Sequence, residues 1–257
     1  MSDDTVLARI EQERDDIVRL LAGKVGTDKF IRAAATVLRT TPALLNCTPS
    51  SVMAALLVAA QLGLAPGGPL PGVYLVPYGK ECTLIISVHG FRELLYRAGA
   101  LDVQTYIIRK GDDIAHESTP DGVRVLWKSA DPLDDSREMV AAFAEIRFPG
   151  GGIIQELMTK KQVLARKPKQ GGAVWREWEI EAWRKTVLRA AAKSARLVDE
   201  SLALAIEADQ AIISGDLDSR TIKHVAAVAE ARTKSLAELE AAPLDPADPD
   251  FIAEADA

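Results

Sequence analysis

The chain has 257 residues, 48% of them hydrophobic and 26% charged, with a formal net charge of −6. That length can bury a real core, as one domain with an appendage or as two small domains, and the composition is that of an ordinary globular protein. A membrane-spanning helix needs roughly 20 apolar residues in a row, and even the segment from Val52 to Leu64 is interrupted by Gln61 and Gly63. The acidic start, Met1-Ser-Asp-Asp, is unlike the basic and then apolar opening of a signal peptide, so the expected location is the cytoplasm, with no membrane partner.

Apolar Val6, Leu7, Ile10, Ile17, Leu20 and Leu21 recur at helical spacing and predict an amphipathic helix over 5–22, ending at Gly23. A second helix is expected from Asp28 to Thr40, stopping before Pro42. Thr48-Pro49-Ser50-Ser51 then caps a third, Val52 to Leu62, with little polar surface and a buried place in the fold. The run from Ala65 to Gly72 is too rich in proline and glycine to be helical and reads as a rigid connector. Val73 to Tyr78 and Cys82 to Val88, joined at Gly79-Lys80, predict a β-hairpin. A short helix over Phe91–Ala98 follows, then strands near Val103–Arg109, Val123–Trp127, Val140–Phe148 and Ile153–Met158. The acidic stretch Asp131 to Arg137 reads as a solvated turn.

One long helix is expected from Ala173 to Val198. At 100° per residue, Lys185, Arg189, Lys193 and Arg196 fall within about 80° of one another, opposite Ile180, Trp183, Val187, Ala191 and Val198. The helix is therefore expected to turn a cationic stripe outward and an apolar one inward. Beyond Asp199 the chain is alanine-rich and helical to about Glu240, and Pro243 onward reads as a disordered acidic tail.

The distribution of charge is the strongest functional signal. From Lys160 to Arg196 there are eleven cations against Glu177, Glu179 and Glu181, whereas residues 199–257 carry fourteen acids against four bases. Lys160-Lys161 and a basic loop from Arg166 to Gly172, carrying Arg166, Lys167 and Lys169, precede the cationic helix, and such a glycine-rich cationic loop lets side chains and backbone follow a phosphate chain. Trp175, Trp178 and Trp183 are candidates for base stacking, although their spacing assigns at least two of them to core packing.

Other chemistry is poorly supported. Gly79-Lys80 is followed by Glu81, so a phosphate-binding loop for ATP is missing. Cys47 and Cys82 are expected to be buried, reduced thiols, and His89, His116 and His224 are scattered. Asp112, Asp113, Asp131, Asp134 and Asp135 are the carboxylates a metal-dependent DNA-processing enzyme would use, yet their proline- and glycine-flanked contexts read as solvated turns. A second rival is a structural, protein-binding oligomer whose basic stripe faces an acidic neighbour such as its own C-terminal tail.

Several motifs together resemble a known family. Thr41-Pro-Ala-Leu-Leu-Asn-Cys47, Ala59-Ala-Gln-Leu-Gly-Leu64 with Pro66, Tyr74-Leu-Val-Pro-Tyr78, and Cys82 with Ile85-Ile86, Gly90 and Arg97-Ala-Gly99 are similar in order and spacing to the RecT family of phage single-strand DNA annealing recombinases. Arg184-Lys-Thr-Val-Leu-Arg189 with Lys193 looks like that family's second block, and the likeness spans roughly residues 28–210. The sequence departs from the family's habits at His89, where relatives carry a cation, and at Ala65 and Ala190; Ala195-Arg196-Leu197 stands where Leu-Pro is common.

The resemblance implies an α+β fold, a small antiparallel sheet with a protruding β-hairpin packed by helices, followed by a helical and acidic C-terminal region. It implies an ATP-independent protein, not an enzyme, that binds single-stranded DNA and the annealed duplex and pairs complementary strands in phage-type homologous recombination. It further implies assembly with itself into rings or helical filaments, and partners such as a 5′-to-3′ exonuclease and the single-strand-binding protein of a bacterial host. No cofactor is expected to be required, with Mg²⁺ left as a modulator of annealing or assembly.

The expected organisation is an N-terminal oligomerisation helix over 1–27, a DNA-binding annealing core over 28–198, a helical region over 199–242 and an acidic tail over 243–257. The expected DNA contacts are Lys185, Arg189 and Lys193 with Arg184 and Arg196, a second lane of Lys160, Lys161, Arg166, Lys167 and Lys169, and Arg92 and Arg97 beside Phe91 and Tyr96, for which core packing is the competing role.

Overall fold

A computed structural model describes residues 8, 10, 12, 14–21, 23–119, 122–168, 172–195 and 200–214. Most of the segment before Arg14, together with Lys169, Arg196 and everything after Ser214, lies outside the described residues.

Helix α1 (Arg14–Leu21) and helix α2 (Thr27–Thr40) begin the described fold, and α2 turns Phe30, Ala34 and Leu38 inward at four-residue spacing. A 3₁₀ turn, Pro42–Asn46, leads to α3 (Pro49–Leu62). Thr48 caps α3, its hydroxyl accepting from the Ser51 amide at 3.3 Å, and Gly63 ends it in the left-handed conformation (φ +64°). Because α3 is apolar on nearly every side it can only sit in the middle of the fold, and Val52, Leu56, Ala59, Ala60 and Leu62 are all fully enclosed.

Strands β1 (Val73–Tyr78) and β2 (Glu81–Ile86) form the expected antiparallel hairpin, in register from Val73↔Ile86 to Tyr78↔Glu81. Its turn is tied to the start of α3: the Thr48 amide donates to the Lys80 carbonyl at 2.7 Å, and the Cys82 amide donates to the Ser51 hydroxyl at 2.9 Å. Cys47 and Cys82 are both buried and unbridged, and burial, with Cys47 and Glu81 nearby, pushes the Cys82 thiol up to about 12.

Helix α4 (Val88–Arg97) starts three residues earlier than predicted, because Ser87 caps it, its hydroxyl accepting from the Gly90 amide at 2.9 Å. Strand β3 (Asp102–Arg109) pairs with β6 (Met139–Arg147), which pairs with β7 (Ile153–Thr159), giving a three-stranded antiparallel sheet of order β3-β6-β7. A second hairpin, β4 (Asp113–Thr119) with β5 (Gly122–Lys128), pairs only with itself among the described residues. Strand β4 is an addition to the sequence reading: Ile114-Ala-His-Glu-Ser-Thr is too polar to signal a strand, and it becomes one by pairing with the apolar β5. The hairpin docks on the sheet through side chains, with Gln155 accepting from the Val125 amide at 2.8 Å and Trp127 packing on Tyr106 at 5.0 Å between ring centroids.

Short helix α5 (Lys160–Leu164) carries a capping box between Thr159 and Gln162. The single long helix expected over 173–198 is two, α6 (Gly172–Glu177) and α7 (Glu179–Ser194), broken at Trp178 (φ −130°, ψ 45°). Helix α7 lies across the sheet, with Trp183, Val187, Leu188 and Ala191 fully buried. Helix α8 (Glu200–Ser214) then packs back against α3, α4, β2 and α7. The result is α+β, as expected.

Candidate nucleic-acid interface

A groove of about 530 Å³ runs between the β1–β2 hairpin, the start of α4, the loop after α5, and α6 with α7; the end of α8 reaches it through Asp209. Strand alternation puts Val73 and Leu75 in the core and leaves Tyr74 half-exposed at the groove, with Tyr78 further along the same strand face. The break between α6 and α7 presents Trp178, which is 63% exposed, while Trp175 on α6 is half-buried beside it. His89 lines the wall where Ser87 starts α4.

Arg166 and Lys185 supply the positive charge inside the groove. Arg166 is steadied by the Gln162 carbonyl at 3.4 Å, and Lys167 lies 6.0 Å from the Trp175 ring centroid. Four aromatic rings and two cations therefore face one channel, the combination that holds a single strand by stacking and by phosphate neutralisation.

The remaining predicted contacts are distributed differently. Lys160 and Lys161 are exposed on α5, with Lys160 paired to Glu138 at 2.7 Å, and Lys193 is exposed in the last turn of α7. Arg184 pairs with Glu181 at 3.0 Å. Arg92 donates to the Thr105 hydroxyl at 2.9 Å, and Arg97 reaches Glu93 at 3.5 Å and the Gly63 carbonyl at 3.4 Å, so both are engaged with the fold and neither lines the groove. Phe91 is fully buried, as core packing requires, and Tyr96 is exposed. Lys169 and Arg196 lie outside the described residues.

Arg189 corrects the expected outward stripe. It is only 7% exposed, because α8 covers that face of α7: its guanidinium lies 3.4 Å from Asp209 and donates to Gln210 at 3.0 Å. Lys185 is paired with the same Asp209 carboxylate, which is 3% exposed. Burial lowers the Arg189 pKa, a shift Asp209 opposes and Arg166 reinforces. Helical spacing identifies the residues that share a face; it does not say what comes back to cover it.

Three groove residues escaped the sequence reading. Tyr74 and Tyr78 could have been found from the period-2 pattern of β1, which points them away from buried Val73 and Leu75. Asp209 sits with Leu202 and Ala205 on the apolar face of α8, an acid at a core position and so a sign of a buried partner.

Asp112, one of the candidate metal-binding carboxylates, is committed to structure. It accepts from the Arg109 and Ala130 amides, the Trp127 indole at 3.0 Å and Arg137 at 2.5 Å. Among the described residues no group of three or more His, Cys, Asp or Glu is placed to hold a metal ion, and no helix is long and apolar enough to cross a membrane.

The RecT family profile matches residues 28–225. Over 226 residues the chain is 29% identical to Protein RecT of Escherichia coli (strain K12), covering 79% of this chain and 82% of that one. The chain belongs to the RecT family, the single-strand annealing proteins of DNA recombination.

Proposed function

We propose that the protein holds single-stranded DNA along this groove and anneals it to a complementary strand, as an oligomer and without ATP. The observation that carries the reading is the meeting of Tyr74 and Trp178 with Arg166 and Lys185 in one channel. Cations neutralise the phosphates, with Lys160, Lys161, Lys167 and Lys193 extending the positive surface outside it. Stacking engages the flat face of a base and leaves its hydrogen-bonding edge open, so a strand held in this way can still be tested by an incoming complement. No covalent step is needed: annealing speeds up when repulsion between two polyanions is screened and strands are concentrated along a multimer.

In this reading the N-terminal helix and the 73–86 hairpin make the contacts between subunits, since among the described residues the hairpin's two strands form a sheet only with each other. Mg²⁺ tunes assembly without being required. The acidic region beyond the core meets partner proteins in the bacterial cytoplasm, a 5′-to-3′ exonuclease and the single-strand-binding protein among them.

Trp178 offers the sharpest test of the groove, because it is exposed and its removal leaves no cavity. Trp178→Ala is expected to weaken oligothymidylate binding by about 1–3 kcal/mol, with an unchanged salt slope, measured by fluorescence anisotropy. Unaltered affinity would move the strand out of this groove.

A further inference from the structure

We propose that α8 is a built-in competitor for the DNA groove: Asp209 occupies a phosphate position between Lys185 and Arg189, so that a bound strand and the docked end of α8 exclude one another. This rests on the groove being the DNA site.

Lys185 and Arg189 stand one turn apart on α7, and both converge on the single Asp209 carboxylate, a geometry that equally suits a phosphate. The carboxylate is nearly sealed from water, yet it incompletely satisfies its partners. The Arg189 Nε is buried without a hydrogen bond, its carboxylate contact being a longer 3.4 Å. Arg166 adds a third positive charge close enough to disfavour protonation of Arg189. Glu181, the other carboxylate that lines the groove, is paired with Arg184 at 3.0 Å, so Asp209 is the carboxylate that answers Lys185 and Arg189, and a phosphodiester chain would bring one negative charge per nucleotide to the same place.

The rest of α8 is built to stay while its end leaves. Its first half is anchored by buried Leu202 and Ala205 and by Ser201, whose hydroxyl accepts from Lys24 at 3.0 Å. The end carrying Asp209 and Gln210 is held to α7 by the polar contacts that a phosphate would replace.

The test is hydrogen exchange on the wild-type chain with and without saturating oligothymidylate, paired with oligothymidylate binding by Asp209→Asn across a salt series. The expected result is faster amide exchange near residues 207–214 when DNA is bound. Asp209→Asn should bind roughly tenfold more tightly at low salt, the scale of removing one carboxylate from beside a phosphate. Slower or unchanged exchange at 207–214 in a chain that binds DNA overturns the competition. So does weaker or equal binding by Asp209→Asn, which would make Asp209 a residue that positions Lys185. The exchange measurement decides alone if the variant does not fold, and a wild type that binds no oligothymidylate removes both this inference and the groove reading beneath it.

Discussion

Asp112→Ala is expected to cost about 3–5 kcal/mol of folding stability, the range for removing one partner of a buried ion pair. The Asp112 side chain is 1% exposed and closes the corner between β3, β5 and the 129–137 loop, satisfying two backbone amides, the Trp127 indole and Arg137 at once. Without it, Arg137 keeps its charge in a half-enclosed site, and the backbone carbonyls of Lys110 and Asp131 that it also binds lose their organiser. The loop with Asp131, Asp134 and Asp135 is therefore a strapped corner and not the free solvated turn its composition suggests. Urea denaturation measures the loss, and a change below about 1 kcal/mol would return this corner to the category of ordinary surface ion pairs.

The same carboxylate has a defined pH signature. Burial alone would raise its pKa, but the Arg109 amide, the Arg137 guanidinium, the Ala130 amide and the Trp127 indole outweigh burial and hold it well below the usual carboxylate range. A depressed folded-state pKa contributes stability that is present above the unfolded value, near about 3.9, and lost as pH falls through the folded value. The wild-type corner thus survives mild acid and gives way only beyond it; Asp112→Asn should lack that portion of the acid slope.

Gly90→Ala is expected to cost about 3 kcal/mol, the upper end for forcing an extra carbon into a packed site. A Cβ on Gly90 would collide with the carbonyl group of Gly72 and crowd Ile86 at 3.0 Å. The connector cannot easily retreat. The Gly72 carbonyl accepts from the Ser87 amide at 3.0 Å, and Ser87 donates its hydroxyl to the Pro71 carbonyl at 2.7 Å while capping α4 through Gly90. Because Ser87, Val88 and His89 line the groove, the variant should lose DNA affinity along with stability. Denaturation and oligothymidylate anisotropy on the same preparation check both, and full stability would show that α4 has room to shift.

Local signals made most of the fold legible. Thr48-Pro49 with an apolar run specified a capped, buried helix, and Gly79-Lys80 between two apolar runs specified a hairpin. The unseen features depend on neighbours distant in sequence. Polar β4 is a strand because β5 pairs with it, and the helix predicted over 173–198 breaks where Trp178 turns to the groove. The cationic stripe was correctly placed on one face of α7 at Lys185 and Arg189, but α8 folds back over that face. Arg189 is inside for that reason, while Tyr74 and Tyr78, which no charge pattern could reveal, stand at the channel.

The central claim is tested most directly by following annealing of two complementary oligonucleotides without ATP, wild type beside Arg166→Gln/Lys185→Gln, across a salt series. Faster annealing by the wild type is predicted, lost in the double variant, with a DNA-binding salt slope shallower by about 1.4 for two lost single-strand phosphate contacts. Annealing by the double variant at the wild-type rate and with the wild-type slope would contradict the groove, and no acceleration by the wild type at any salt would contradict the function itself.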